Sequence, residues 1–418
     1  MIKRTLFDGL KSHIAKKEIS FIVGPRQAGK TTLMNLLKDY LQQKGEQTLF
    51  LNLDIEADKQ FFTTQERLVK KIELELGRHK GFVFIDEIQR KEDAGIYLKG
   101  IYDMNLPYKF IVSGSGSVEL KERIHESLSG RKRIFELGTL SFVEFVDFKT
   151  QYKYESRLDD FFTIEKERTN ELLIEYLNFG GYPRVVLEET RDEKYKTINE
   201  IYQSYLERDI SHLLQVKKTD AFSNLVKLVA SQIGRIVNFS EFSSTLGLST
   251  TTLKEYLWFL EKTFIILKVT PYFKNVRKEL TKSPVLYFYD IGMRNFALGL
   301  FGNIADGSEL GFIFQNYVLN VIRSIYQDTA AKIHFWRTKD KAEVDFVVNV
   351  GHELIPIEAK YKQFTQPEIT RSLRSFIANY NPRRAFIVNL GLEKTININK
   401  TTVYFVPFYS LSRHLVSH

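Results

Sequence analysis

Ile19-Ser20-Phe21-Ile22-Val23-Gly24-Pro25-Arg26-Gln27-Ala28-Gly29-Lys30-Thr31 is the stretch on which the fold turns. Residues of β character run into G-x-x-x-x-G-K-[ST], and Leu33, Leu36 and Leu37 then recur at helical spacing. A strand, a glycine loop and a helix in that order make a phosphate cradle, because successive main-chain N–H groups curl around phosphate oxygens at the positive end of the helix. Lys30 brings an ammonium to the β- and γ-phosphates and Thr31 a hydroxyl to Mg²⁺, while Gly24, Pro25, Arg26, Gln27, Ala28, Gly29 and Thr32 form the loop around them. The expected ligand is ATP with Mg²⁺.

Outward from this loop, Thr48 to Leu53, Phe82 to Ile85 and Phe110 to Ser113 are further short β runs with helix-like segments between them. Such alternation predicts a parallel sheet covered by helices. Phe82-Val83-Phe84-Ile85 reads as a strand buried on both faces, and it delivers Asp86 and Glu87 at its end, where ligands gather in open α/β sheets. Asp86 is expected to hold Mg²⁺ through water opposite Thr31, and Glu87 to polarise a water for in-line attack on the γ-phosphate. The implied reaction is ATP hydrolysis. The third run ends in Ser113-Gly114-Ser115, where Ser113 or Ser115 is a candidate γ-phosphate sensor, although small polar residues also form ordinary turns. After it, Ser127 to Arg133 ends a helix in an arginine cluster, from which Arg131 can offer a guanidinium to a phosphate in the same or the next subunit.

Composition narrows the class. The chain has 418 residues, enough for about three domains. It is 43% apolar and 27% charged, with 33 Phe and 21 Tyr, which excludes global disorder. The absence of cysteine excludes disulfides, thiolate nucleophiles and zinc-thiolate or iron–sulfur sites. The eight histidines show no ligand spacing. No apolar run approaches the ~20 residues of a membrane span, so a cytoplasmic protein with no membrane partner is expected. A net charge of +9 points to an anionic partner, with nucleic acid first.

From Phe145 to Val216 charged, aromatic-rich helices replace the β runs, interrupted by Gly180-Gly181-Tyr182-Pro183, which suggests a helical lid. Asn238 to Leu246 and Ser249 to Lys262 read as a helix-turn-helix about Gly247, the second helix carrying Leu253, Tyr256, Leu257 and Leu260 at core spacing. Thr250, Thr251, Lys254 and Glu255 then lie where a recognition helix meets a groove. Two β runs follow, with Lys274, Arg277 and Lys278 between them, and together these elements suggest a winged helix gripping DNA phosphates. Glu255 would repel phosphate, and winged helices also dock proteins.

Taken together, these residues resemble the AAA+ branch of P-loop ATPases, and more narrowly the prokaryotic family with an AAA_14-type ATPase core and a C-terminal DUF4143 region. The resemblance rests on Gly24 to Leu33, Asp86-Glu87-Ile88-Gln89, Ser113-Gly114-Ser115, Leu128 to Arg131, Leu140 to Phe145 and Gly180 to Pro183, and spans almost the whole chain. It implies that Ser113 is sensor 1, that Arg131 is the arginine finger, and that Pro183 belongs to a lid element packing near adenine. It also implies a C-terminal domain similar to restriction-endonuclease-like PD-(D/E)XK nucleases. There Asp345 and Glu358 would share a divalent ion and Lys360 would orient or activate water. Where relatives carry a Glu on the preceding helix, this chain has Gln315, whose neutral amide binds a cation less well.

The expected architecture is therefore α/β and multidomain: a P-loop AAA+ parallel-sheet core (1–145), a helical lid (146–216), a winged helix (217–292) and a nuclease-like α/β domain (293–418). The expected function is an ATPase that remodels or translocates duplex or branched DNA, similar to Holliday-junction branch-migration motors, as a homo-oligomer up to a hexameric ring. An ATP-gated regulatory or defence switch that docks a protein, and an ATP-regulated DNA nuclease, are the alternatives.

Overall fold

A computed structural model of the chain describes residues 2–115, 128–206, 219–273, 279, 282–304, 307–351 and 353–416. Five strands, β1 (Ile19–Gly24), β2 (Thr48–Asn52), β3 (Gly81–Asp86), β4 (Tyr108–Ser115) and β5 (Lys132–Glu136), pair in parallel in the order β2-β3-β4-β1-β5. Side chains alternate across the pleat, so each strand feeds two cores. In β1, Ile19, Phe21 and Val23 join one cluster with Leu68, Leu98 and Ile101. Ile22 points the other way, to Leu33, Met34 and Leu37 of the helix Lys30–Gln43. β5 is absent from the sequence-based expectation because Lys132, Arg133 and Glu136 disguise it, as charged residues commonly do on outer strands.

From Leu140 onward one apolar cluster runs through the helices of the lid, the helix pair and the C-terminal region as far as Leu415. The stretches that the sequence reading separates at 216 and 292 thus share a core. The helices Phe239–Leu246 and Thr250–Lys262 are joined through Gly247, whose φ of +61° is a left-handed turn conformation, and Ser249 caps the second helix by accepting the Thr252 N–H. All four expected core residues of that helix are buried, and Thr250, Thr251, Lys254 and Glu255 are exposed.

The remaining strands are β6 (Ile266–Pro271), β7 (Val285–Phe288), β8 (Lys332–Arg337), β9 (Glu343–Val350), β10 (Glu353–Ala359), β11 (Arg384–Asn389), β12 (Lys394–Ile398) and β13 (Thr401–Pro407). They form a mixed sheet in the order β12-β13-β11-β10-β9-β8-β6-β7. The expected wing is therefore no free-standing hairpin. β6 pairs with β7, but it also pairs in parallel with β8 through Thr270 and Pro271, and all four residues of β7 are buried. The physical reason is the apolar content of Val285-Leu286-Tyr287-Phe288, which a solvated wing would leave in water. Lys274, Arg277 and Lys278 lie outside the described residues. Among the described residues no helix is long and apolar enough to cross a membrane.

Candidate active site

The strand register gathers the chemistry at one end of the five-stranded sheet. Gly24 lies beside Ser115 and Ile22 beside Ser113, while Ile85 lies beside Val112, so the glycine loop, Ser113 and Asp86 emerge together from β1, β4 and β3. Gly24 has no alternative: a Cβ there would stand 2.0 Å from the Leu137 carbonyl oxygen. Gly29 caps the following helix at φ +94°, a conformation that strains other residues.

Lys30 is buried and its ammonium donates to the carbonyls of Gly24 (3.1 Å) and Pro25 (2.8 Å). Thr31 Oγ1 donates to Asp86 Oδ2 at 2.6 Å, and Ser113 Oγ donates to Asp86 Oδ1. Asp86 is thus the hub that joins the loop helix to the neighbouring strand. A threonine hydroxyl beside a carboxylate is a hard oxygen donor set, which suits Mg²⁺.

Glu87 follows with φ +56°, and its N–H donates to Asp86 Oδ1 (3.1 Å) and Ser113 Oγ (3.4 Å). Burial pushes its carboxyl above the ordinary range, with the nearby Lys30 charge pulling the other way and Asp86 adding to the rise. A carboxylate that is desolvated and near a cation suits a group that polarises water.

A cleft of about 440 Å³ opens over this cluster, and Pro183 and Arg184 form part of its far wall. Pro183 is the first residue of the helix Pro183–Leu187, where its missing N–H costs nothing. Arg184 was not among the expected site residues. Its Nη1 donates to Gln27 Oε1 (2.9 Å) in the phosphate loop and its Nη2 to Glu200 (2.8 Å). Arg4, also unforeseen, donates to the carbonyls of Ala28 (2.8 Å) and Gly138 (2.7 Å), tying the N-terminal segment to the loop. A basic residue directly after Gly180-Gly181-Tyr182-Pro183 was the legible signal for Arg184; Arg4 had none.

The position of Arg131 bears on the same-subunit half of its expected role and leaves the neighbouring-subunit half untouched. The residue precedes β5, and Lys132 pairs with Ile19 at the start of β1, so Arg131 stands at the opposite end of the sheet from its own glycine loop. Its Nε donates to Asp103 Oδ1 at 2.8 Å. No role on the phosphate of its own subunit is compatible with that place, because the length of a strand separates them. The side chain of Ser115 and residues 116–127 lie outside what is described.

The C-terminal acids also come together. Asp345 on β9 accepts the Ala359 N–H (2.8 Å) and a bond from the Gln315 side chain, and Glu358 on β10 accepts from Thr370 Oγ1 (2.6 Å). Lys360 Nζ lies 4.0 Å from Asp345 and 3.5 Å from Glu358. Burial raises the pKa of both acids, against the pull of Lys360. Among the described residues no cluster of three or more His, Cys, Asp or Glu is disposed to hold a metal.

Comparison with known proteins gives three family matches, the second of which runs across both expected boundaries at 216 and 292. Residues 16–146 match the AAA domain model AAA_14, residues 170–303 a domain of unknown function, DUF8612, and residues 310–411 another, DUF4143. An uncharacterised protein of Haemophilus influenzae is 27% identical over 405 residues, covering 93% of this chain and 94% of that protein. One of Mycobacterium tuberculosis is 25% identical, covering 94% and 81%. Among solved structures, the replication initiator DnaA bound to AMPPCP and single-stranded DNA aligns with a TM-score of 0.29 at 14% identity, covering 62% of this chain and 86% of that one. Cdc6p from Pyrobaculum aerophilum aligns at 0.28 and 11%, covering 71% and 92%. Residues 16–146 are an AAA-type P-loop ATPase domain, and the same chain carries a DUF4143 domain at residues 310–411.

Proposed function

We propose that the chain hydrolyses ATP with Mg²⁺ in the cleft between the five-stranded sheet and the Pro183–Leu187 helix, and uses the cycle to remodel or translocate duplex or branched DNA. The observation that carries the chemistry is the Thr31–Asp86–Ser113 bridge beside Lys30 and Glu87. Bound Mg²⁺ would neutralise charge developing on the phosphates, with Thr31 and Asp86 as its protein-side oxygens. Lys30 would leave its carbonyl partners for phosphate oxygens, Glu87 would take the proton side of the attacking water, Ser113 would orient it, and Arg184 would reach the phosphates from the lid wall. Support for DNA is the net charge of +9 and the exposed Thr250, Thr251 and Lys254 at the start of a capped helix. The reading includes a homo-oligomer, up to a hexameric ring.

A second reading, the ATP-gated switch, draws on the packing. Phe264 and Tyr289 join the apolar cluster of the ATPase sheet, and Arg323 of the helix Gly307–Tyr326 pairs with Glu136 and Tyr289. The segment that follows the helix pair and the helix Gly307–Tyr326 thus rest on the ATPase core rather than hanging from a linker, which suits a body that presents one surface to a protein partner. ATP turnover measured with and without duplex, forked and four-way DNA separates the two. Several-fold stimulation that vanishes in Lys30→Ala supports the DNA motor, and indifference to every DNA supports the switch.

A further inference from the structure

Glu87 sits on a turn that is pinned from several sides. After β3 the backbone enters the left-handed region at Glu87, which costs a non-glycine residue about 1–2 kcal/mol. Ile88 is fully buried, the Arg90 N–H donates to the Glu87 carbonyl (3.0 Å), and Arg90 Nε donates to Asp54 Oδ1 (2.7 Å). The short helix Ile88–Arg90 places Gln89 beside the acid, and Gln89 Nε2 donates to Glu87 Oε2.

We propose that Gln89 is a positioning residue for ATP hydrolysis: its amide anchors one oxygen of Glu87 so that the other serves the attacking water. This rests on the ATPase reading above. The charges around Glu87 explain why an anchor is needed. Lys30 attracts the carboxylate, whereas Asp86 and Asp54 repel it. A carboxylate held by those forces alone would be drawn toward the ammonium that phosphate requires. An amide N–H supplies a directional bond without adding charge, so it sets the rotamer and leaves Lys30 its full charge for the nucleotide. Aligned reacting atoms are what a water-activating group contributes, and a loss of alignment appears in turnover rather than in nucleotide binding.

The test uses the purified full chain with Mg²⁺ and ATP. Gln89→Met keeps the length and removes the donor, and Gln89→Ala removes the whole arm. Both should lower kcat by about tenfold or more, a part of the roughly 10²–10⁴-fold that a general base contributes. The dissociation constant for ATP should stay within about threefold, since the anchor acts on the water rather than the phosphates. In a Glu87→Gln background, the Gln89→Met change should cost less than about twofold, because its target is already disabled. Turnover equal to wild type in Gln89→Met, or an equal loss in the Glu87→Gln background, overturns the assignment. If wild type turns over no faster than Lys30→Ala, the hydrolysis reading fails and takes this inference with it.

Discussion

Asp290 is the carboxylate that joins the cleft to the rest of the chain. It is 3% exposed, its Oδ2 accepts the Gly181 N–H (2.8 Å), and its Oδ1 caps the helix Ile291–Ala297 by accepting the Met293 N–H (3.0 Å). The contact is so close that a Cβ on Gly180 would stand 2.3 Å from Oδ1. Burial raises its pKa, and the N–H donors together with Thr139 oppose the rise. Asp290→Ala strands two buried N–H groups at about 1–3 kcal/mol each, less the relief of removing a buried charge, for a net loss of about 2–4 kcal/mol. Asp290→Asn keeps one acceptor and should lose about half as much. Trp258 lies on the helix Thr250–Lys262 and Trp336 on β8, both C-terminal to the ATPase sheet, so their fluorescence during urea unfolding can follow the change. Because Gly181 leads into Pro183 and Arg184, the ATP KM should rise in the same samples. An alanine variant that unfolds at the wild-type urea concentration and binds ATP as wild type does would refute the role of this joint.

Other outcomes follow from the same geometry. Arg131→Ala breaks a half-exposed pair with Asp103, so it should cost less than about 1 kcal/mol and leave turnover near wild type; a tenfold fall in kcat would restore an arginine-finger role on a neighbouring copy. Asp147 has its pKa pushed up to about 6 by burial and by Glu155 and Glu144, against Lys3. A raised acid favours the protonated fold, so its penalty is absent below pH ~4, grows as pH rises through 6 and is complete above it. Asp147→Asn should therefore raise the unfolding free energy at pH 8 by about 1 kcal/mol after allowing for partial exposure, and give no gain at pH 4; equal gains at both would sink the explanation. With Gln315 on Asp345 and Lys360 between both acids, plasmid DNA should stay intact in Mg²⁺ or Mn²⁺, and cutting that disappears in Asp345→Ala would support the nuclease reading instead.

Legibility differed from element to element. The strand, loop and helix around Gly24 to Thr31 could be read because a phosphate cradle is local: its spacing is set by one turn of chain. Asp86 and Glu87 were readable for a similar reason, since a doubly buried strand ends where its apolar run ends. β5 escaped because its charges resemble those of a surface turn, and with it went the place of Arg131, which depends on strand pairing across more than 100 residues. The β6–β7 hairpin was readable as two strands, but no local signal showed that Thr270 and Pro271 would pair with His334 and Phe335.

The amino-acid sequence by itself determined the ATPase core, the glycine loop with the acids at the neighbouring strand end, and the acids and lysine of the C-terminal strands, because each is encoded within a few residues of its neighbours. Only the tertiary structure decided that Arg184 and Arg4 reach the phosphate loop, that Gln89 holds Glu87, and that lid, helix pair and C-terminal sheet share one core. Those contacts bring together segments far apart in the chain or set by side-chain rotamers, and their energy comes from burial and pairing that exist only once the whole chain has packed.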